Sequence, residues 1–523
     1  MNSRKLFSLA LLISLIGYGC TDLNETLNSD FTESFTPNNP GFGQSANVNG
    51  SIPADGLNAA YSAIMTGTGN NGAWFHINGI ASDEMLIPQR GGDWFDGGIY
   101  IDLHTHNFKS TDGQTNNTWN DAYNGITQVN TLLEEGGLSA DQVAQLRVVR
   151  AYFHWRLMDA FGRVKIQTQV GASVPQSDRP EVYQFIIDEL EAAIPDLNPE
   201  NGYARAGKFA AHAFAARVYL NAGVYKRSVS GGISSAPWTG DYSAELQKAI
   251  DHTDAVINSG LYELDSDFAN VFAPDNVDNP EHIWVLPYDE ATGGGLNFAM
   301  MTLHYPSQLT YDLEQQPWNG YSTLESFYNS FEDGDARKEA SFIVGPQTDI
   351  NGNPILDVTL DKNDPDGAAI NYTPAINELF PNASRQAGAR LGKFSFKIGQ
   401  KPDGDNDFPL FRFAEMHLIK AEATARLNSN WSHPTTLALV NILRERAGVS
   451  AFTSLTADEF LAELGREKFQ EVHRRTDLIR FDAWGDSWDF KPAHSDRYKE
   501  VFPIPNAQLN ATTDGSLTQN PGY

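Results

Sequence analysis

With 523 residues, the chain is long enough to bury a large core, and its 41% hydrophobic content excludes a disordered protein. Asp and Glu number 66 against 37 Lys and Arg, for a net charge of −29. Such a surface repels nucleic-acid phosphates and anionic lipid headgroups and suits neutral ligands better than polyanions. The single cysteine, Cys20, excludes an internal disulfide and any CxxC zinc or redox motif.

Arg4 and Lys5 precede an apolar run, Leu6 to Ile16, broken only by Ser8 and Ser14. Gly17, Tyr18 and Gly19 then lead into Cys20. The run is too short for a lasting membrane helix and reads as a secretory signal over residues 1–19. An apolar run that ends at small residues and a cysteine resembles a bacterial lipobox, in which the thiol takes a diacylglyceryl group. Cys20 is therefore the expected lipidation site. Residues 20–49 are rich in Asn, Thr, Ser, Gly and Pro and read as a tether. No later stretch has the apolar length of a membrane span.

Ser139-Ala-Asp-Gln142 is a capping box that opens a helix. Leu146, Val149, Phe153, Leu157 and Phe161 follow at helical spacing, and Gly162 stops it. Further helices are predicted over 182–194, 208–221 and 244–258. The 208–221 segment is crowded with Ala210, Ala211, Ala213, Ala215 and Ala216, whose small side chains let a neighbouring helix approach closely, as in helix-pair solenoids. Four helices with short joins predict antiparallel pairs of the tetratricopeptide kind, although the strict repeat signature is absent. From about 265 to 407 the chain carries prolines, glycines and scattered aromatics and reads as long loops with short strands. Helices return at 411–427, 435–447 and 456–473, the last opened by the capping box Thr456-Ala-Asp-Glu459. The fold class is mainly α, a helical scaffold with a loop-rich insertion.

Five blocks then resemble one family: Arg150 to Gly162, Ala206 to Ala222, Asp407 to Ala423, Arg466 to Arg480, and Val501-Phe-Pro-Ile-Pro505 with the terminal Gln519-Asn-Pro-Gly-Tyr523. In that order they are similar to the SusD/RagB proteins. The resemblance runs from Cys20 to Tyr523 and departs from the family at Leu464, Val472 and Lys165, where Arg, Gly and Pro are usual. It implies a SusD-like domain over 50–523, with scaffold at about 120–264 and 408–480. It further implies a lipid-anchored lid on the cell surface of the outer membrane. The lid would grip an oligosaccharide or polysaccharide, pass it to a SusC-like TonB-dependent barrel transporter, and do no chemistry itself. A peptide-binding lid of the same fold and a lipid-anchored glycosidase are the alternatives.

Sugars present apolar C–H faces and rings of hydroxyls, so a site for them needs aromatic platforms edged by carboxylates, amides and Arg. Residues 82–98 have that composition: Trp94 and Phe95 lie among glycines, with Asp83, Arg90, Asp93 and Asp96 beside them. A second stretch joins Leu303-His-Tyr-Pro306 to residues 316–321, where Trp318 and Tyr321 are platform candidates and Asn319 could bond a hydroxyl. The family's ligand contacts lie in the loops after the first helix and in the central insertion, which matches these stretches by region only. Trp74, Phe75 and Trp238 are alternates. Arg474, Arg475 and Asp477 are expected to form a helix-end ion-pair network. His104-Thr-His106 reads as an exposed strand. Residues 361–367 and 403–407 are acidic loops without full calcium-site spacing and read as solvated turns. No GxSxG elbow or P-loop occurs, and no cofactor, metal ligand or catalytic residue is assigned.

Overall fold

The structure, a computed structural model, describes residues 56–66, 68–69, 72–199, 202–290, 295–357 and 367–523. The predicted leader, Cys20, the tether and most of the first acidic loop lie outside these residues, as does all of a separate unit, Met1–Gln44.

Two short helices, Asn58–Met65 (α1) and Ala73–Gly79 (α2), and a third, Ile99–His104 (α3), precede the main array. The array runs through Gly113–Glu135 (α4), Ala140–Phe161 (α5), Arg179–Ala193 (α6), Lys208–Leu220 (α7) and Ser243–Ile257 (α8). Each of these packs on the next. The chain then leaves for more than a hundred residues and returns as Phe413–Leu427 (α9), which packs directly on α8 and is covered by Pro434–Arg446 (α10). Packing order therefore equals chain order, as in tetratricopeptide-type helix pairs.

Local chemistry accounts for these elements. The Ser139 and Gln142 side chains bond reciprocally with each other's backbone N–H groups at the start of α5, and Asp178 and Glu181 do the same for α6. Every residue of α5 from Val148 to Phe161 is buried, which makes it a central helix and not an amphipathic surface one. The five alanines of α7 are buried between neighbours, as their size predicts. Helix α4 carries no strong propensity signal in its Gln-Thr-Asn-Asn-Thr start and is set by tertiary packing. Asp112 caps it, and a Cβ on Gly125 would lie 2.2 Å from the Phe153 ring of α5.

At the base of the excursion, His282–Leu286 pairs antiparallel with Phe408–Arg412. The helix predicted from 411 thus begins two residues later, because Phe411 and Arg412 extend this ladder. Ala457–Lys468 (α11) also ends earlier than predicted, and Arg474–Arg480 (α12) follows as a separate helix. The break contains two left-handed residues, Gln470 (φ 64°) and Val472 (φ 58°). Glu463 and Glu467 of α11 sit at the centre of a buried ionic network. Arg337 reaches both, Arg412 reaches Glu467 and Glu281, and Lys393 reaches Glu471. Arg337 and Lys393 come from the excursion, so these charges lock it to the last helices.

The helix-end network takes the form Arg475–Asp159 and Lys468–Asp477–Arg480. His104 and His106 are not on an exposed strand: both are buried beside Trp488, and His106 stacks on Trp484 at 4.1 Å. The second acidic loop is no solvated turn either. Its Asp407 is buried and accepts the backbone N–H of Tyr288, while Asp405 pairs with Lys397.

Candidate functional site

Three loops meet at the edge of this scaffold: residues 87–98, 304–321 and 373–387. They are fastened by one buried guanidinium. Arg90 donates to the carbonyl oxygens of Asn319 (3.0 Å), Gly320 (2.7 Å) and Ala387 (2.8 Å), to that of Ser384 (3.3 Å), and to the Ser322 hydroxyl (2.8 Å). The backbones of Gln89 and Leu379 bond as well, as do those of Ala383 and Gln89. One planar fork thus closes two loops against a third, a task that suits arginine because its donors diverge in a fixed plane.

Arg90, Asn319 and Tyr321 were expected at the ligand, and the structure places all three beneath the surface. Asn319 is buried with φ 58° and gives its amide to the His304 ring and the Arg385 carbonyl. Tyr321 has no exposed area. Its ring stacks on His76 and meets the edge of Phe75, and its hydroxyl bonds His76 Nδ1 at 2.7 Å. Burial holds His76 down at about 3, so the ring is neutral and accepts that bond, and burial likewise raises the Tyr321 phenol well above its usual range. Asp83 is half-buried and forms a bidentate pair with Arg474 (2.5 and 2.7 Å). Among the alternates, Trp74 and Phe75 are core residues, and Trp238 lies under Arg426 with its indole N–H bonded to the Arg480 carbonyl. These rings are spent on packing, which is where most large aromatics go.

Above this floor the same loops carry the exposed groups. Trp94 is half-buried, with φ 63°. Its indole N–H donates to the Trp318 carbonyl at 2.6 Å, its ring meets the edge of Tyr100, and it lies so close to Gly320 that a Cβ there would be 2.8 Å away. Trp318 is half-buried and packs against both the main core and the small core of the excursion. Phe95 is 47% exposed, and Asp96 beside it is exposed with φ 42°. Trp94, Asp96, Gly97 and Gly98 are all left-handed. Non-glycine residues in that region are strained, and such strain gathers at sites where the surroundings fix a side chain for use.

The neighbouring loops add residues that the sequence reading did not select. Arg385 bonds Asp93 (2.9 Å) and the Tyr305 hydroxyl (2.8 Å) and lies over the Tyr305 ring, while Tyr305 also bonds Asp93. Phe380 is 54% exposed at the tip of 373–387. A motif search has little hold on that loop: Phe380-Pro-Asn-Ala-Ser-Arg385 carries turn residues and a lone aromatic, and bonds from the distant Gln89, Arg90 and Asn319 bring it to the site.

Fold and loops together define a helical-repeat scaffold that presents a loop-built aromatic and polar surface. A model described as the SusD family matches residues 280–523, and one described as starch-binding associating with outer membrane matches 93–220. The chain belongs to the SusD/RagB family. It is 26% identical over 446 residues to the starch-binding protein SusD of Bacteroides thetaiotaomicron, covering 76% of each chain. Among solved structures, surface glycan-binding protein A from Bacteroides uniformis superposes with TM-score 0.70 at 19% identity, covering 89% of this chain and 98% of that one. The protein of the same name from B. thetaiotaomicron, in complex with laminarihexaose, gives TM-score 0.69 at 17% identity, covering 89% and 98%. These relatives are named as binding proteins.

Proposed function

We propose that this protein is a surface glycan-binding lipoprotein of the outer membrane, anchored through Cys20, which captures an oligosaccharide and delivers it to a SusC-like TonB-dependent transporter. The observation that carries the reading is the pairing of exposed Phe95 with half-buried Trp94, which sits on left-handed backbone, beside the Asp93–Tyr305–Arg385 cluster, in which Arg385 is buried and Asp93 and Tyr305 are half-buried. Rings supply apolar faces for C–H groups, and the cluster supplies donors and acceptors for hydroxyls. Arg90 keeps the three loops in register, so the ligand meets a surface that is already ordered. The names of the relatives, which bind starch or glycan, support the same ligand class. The role is capture by stacking and hydrogen bonding, without bond cleavage.

Affinity electrophoresis of the full chain through gels cast with a broad polysaccharide panel tests the ligand class. Retardation by at least one polysaccharide, with no new reducing ends, is expected. Binding to peptides alone would sink the reading. Co-purification of a barrel transporter from outer membranes, lost in cells lacking that transporter's gene, tests delivery. For the anchor, Cys20→Ser should leave a folded protein that no longer fractionates with the outer membrane when the transporter is absent.

A further inference from the structure

Beside the loop cluster lies an open groove of about 420 Å³ that none of the considerations above assigns. Its walls are the segments 371–377 and 384–387; its polar lining consists of Asn371, Thr373, Asn377, Ser384 and Gln386, and Ala375, Ile376 and Ala387 are its apolar part. Every polar side chain in it is an amide or a hydroxyl. The walls are ordered by their own bonds: the Asn371 backbone N–H donates to Gln386 Oε1 (2.7 Å), the Ser384 N–H donates to Asn377 Oδ1 (2.8 Å), and the Arg90 guanidinium holds the carbonyls of Ser384 and Ala387 from behind. Its volume falls in the range of about 300–1,000 Å³ that accommodates small-molecule ligands.

The groove and the loop cluster share a wall. Ser384 and Gln386 line the groove, whereas Arg385 between them carries its side chain to Tyr305 and Asp93. A ligand crossing the 384–386 turn would touch both. We infer that the groove is a second subsite for the same glycan, and that together the two subsites select an extended, uncharged oligosaccharide over uronate-containing or sulfated chains. The inference rests on the glycan reading above and names its substrate class.

Three observations favour the uncharged chain. Amides and hydroxyls offer a donor and an acceptor each, which matches a vicinal diol. A carboxylate or sulfate is recognised by Arg or Lys forks, and the groove lining holds none. The one cation on the shared wall, Arg385, is already paired with Asp93, and the exposed charge of the neighbouring loop, Asp96, is negative. An anionic chain would therefore meet repulsion without compensation, and the overall charge of −29 adds to it at low salt.

A printed array of neutral and acidic glycans, probed with the full chain at low ionic strength, selects the ligand. Calorimetry then follows its affinity with chain length. The expected outcome is binding confined to neutral glycans, with affinity rising as the chain lengthens. Gln386→Ala should weaken binding of a long neutral oligosaccharide about tenfold, the scale of one lost hydrogen bond, and leave the shortest binding oligosaccharide unaffected. Thr373→Val, which keeps the side-chain shape, guards against a folding artefact and should act the same way. Phe95→Ala should weaken long and short ligands alike. Acidic glycans binding as well as neutral ones would overturn the inference and leave the glycan reading standing, as would both groove variants leaving long-chain affinity unchanged. A protein that binds no array member sinks the glycan reading and this inference with it.

Discussion

Replacing Phe95 by alanine separates a ring held out for a ligand from a ring used for packing. The side chain is 47% exposed. An aromatic side chain of this kind offers about 200 Å² in all, so roughly 90 Å² of ring faces solvent. Covering that area with the apolar face of a sugar is worth about 2 kcal/mol at ~25 cal/mol/Å², or close to thirtyfold in affinity. Stability should hardly change, because exposed substitutions commonly stay within about 0.5 kcal/mol. Trp94→Ala is the contrasting case. It removes the indole bond to the Trp318 carbonyl and the packing on Gly320 and Tyr100, so it should lower stability by about 2–3 kcal/mol as well as affinity. Calorimetric titration with a polysaccharide that retards the wild type, run beside thermal melts of both variants, gives the two quantities. Full affinity in Phe95→Ala with an unchanged melt would show that the ring is not a platform, and the reasoning from exposure would fail.

Arg90→Lys keeps the charge but loses the planar fork. It should destabilise by about 3 kcal/mol and weaken glycan binding although Arg90 touches no ligand, and a variant that melts and binds like wild type would refute the clamp. Val472→Gly relieves a left-handed cost of about 1–2 kcal/mol and gives back about 1 kcal/mol in chain entropy and packing. Its denaturant midpoint should therefore match or exceed wild type, and a loss above about 1 kcal/mol would contradict the strain at φ 58°. Burial raises Glu84 to about 8 beside Asp83, Arg474 and Lys393, so the folded chain holds a proton that the unfolded chain releases near 4.5. The folded state then binds more protons between these values. This contribution to stability is full below about 4.5 and is lost as pH rises through about 8, an amount on the order of 5 kcal/mol. Glu84→Gln should flatten that slope, gaining over wild type at pH 9 and little at pH 4.5, and equal pH profiles for both proteins would exclude Glu84 as its source.

The helices were legible where local chemistry and burial agree. Ser139 and Thr456 cap the helices their sequences announce, and the alanines of α7 lie where close helix approach needs them. Helix α4 was not, since its opening polar run matches no pattern until Phe153 and Asp112 are in place. Helix α11 ends at Lys468, where Phe469 turns extended (φ −46°, ψ 137°), and the left-handed Gln470 and Val472 follow. At the position where the resemblance leads one to expect glycine, Val472 takes the left-handed conformation that glycine would supply freely, and nothing in its side chain announces that turn. Lys165 is a second departure with a visible consequence. Its backbone N–H donates to the Tyr123 hydroxyl at 2.8 Å, a bond that the usual proline cannot make.

For the proposed site, composition selected stretches that the fold brings together but could not separate floor from surface. Trp94, Phe95, Trp318 and Tyr321 carry the same compositional signal. What distinguishes them is the partner each meets across more than two hundred residues: His76 and Phe75 enclose Tyr321, whereas no large side chain covers Phe95 to that degree. The same holds for the cations. Arg90 and Arg385 are both arginines in glycine- or asparagine-bearing loops, yet one is consumed by backbone carbonyls and the other bonds an aspartate and a tyrosine on the rim. A loop-built site is assembled by contacts distant in sequence, and its working surface is whatever those contacts leave over. In this chain the surplus is aromatic, amide and hydroxyl, with its positive charge already paired, and that remainder is the physical reason for expecting a neutral saccharide.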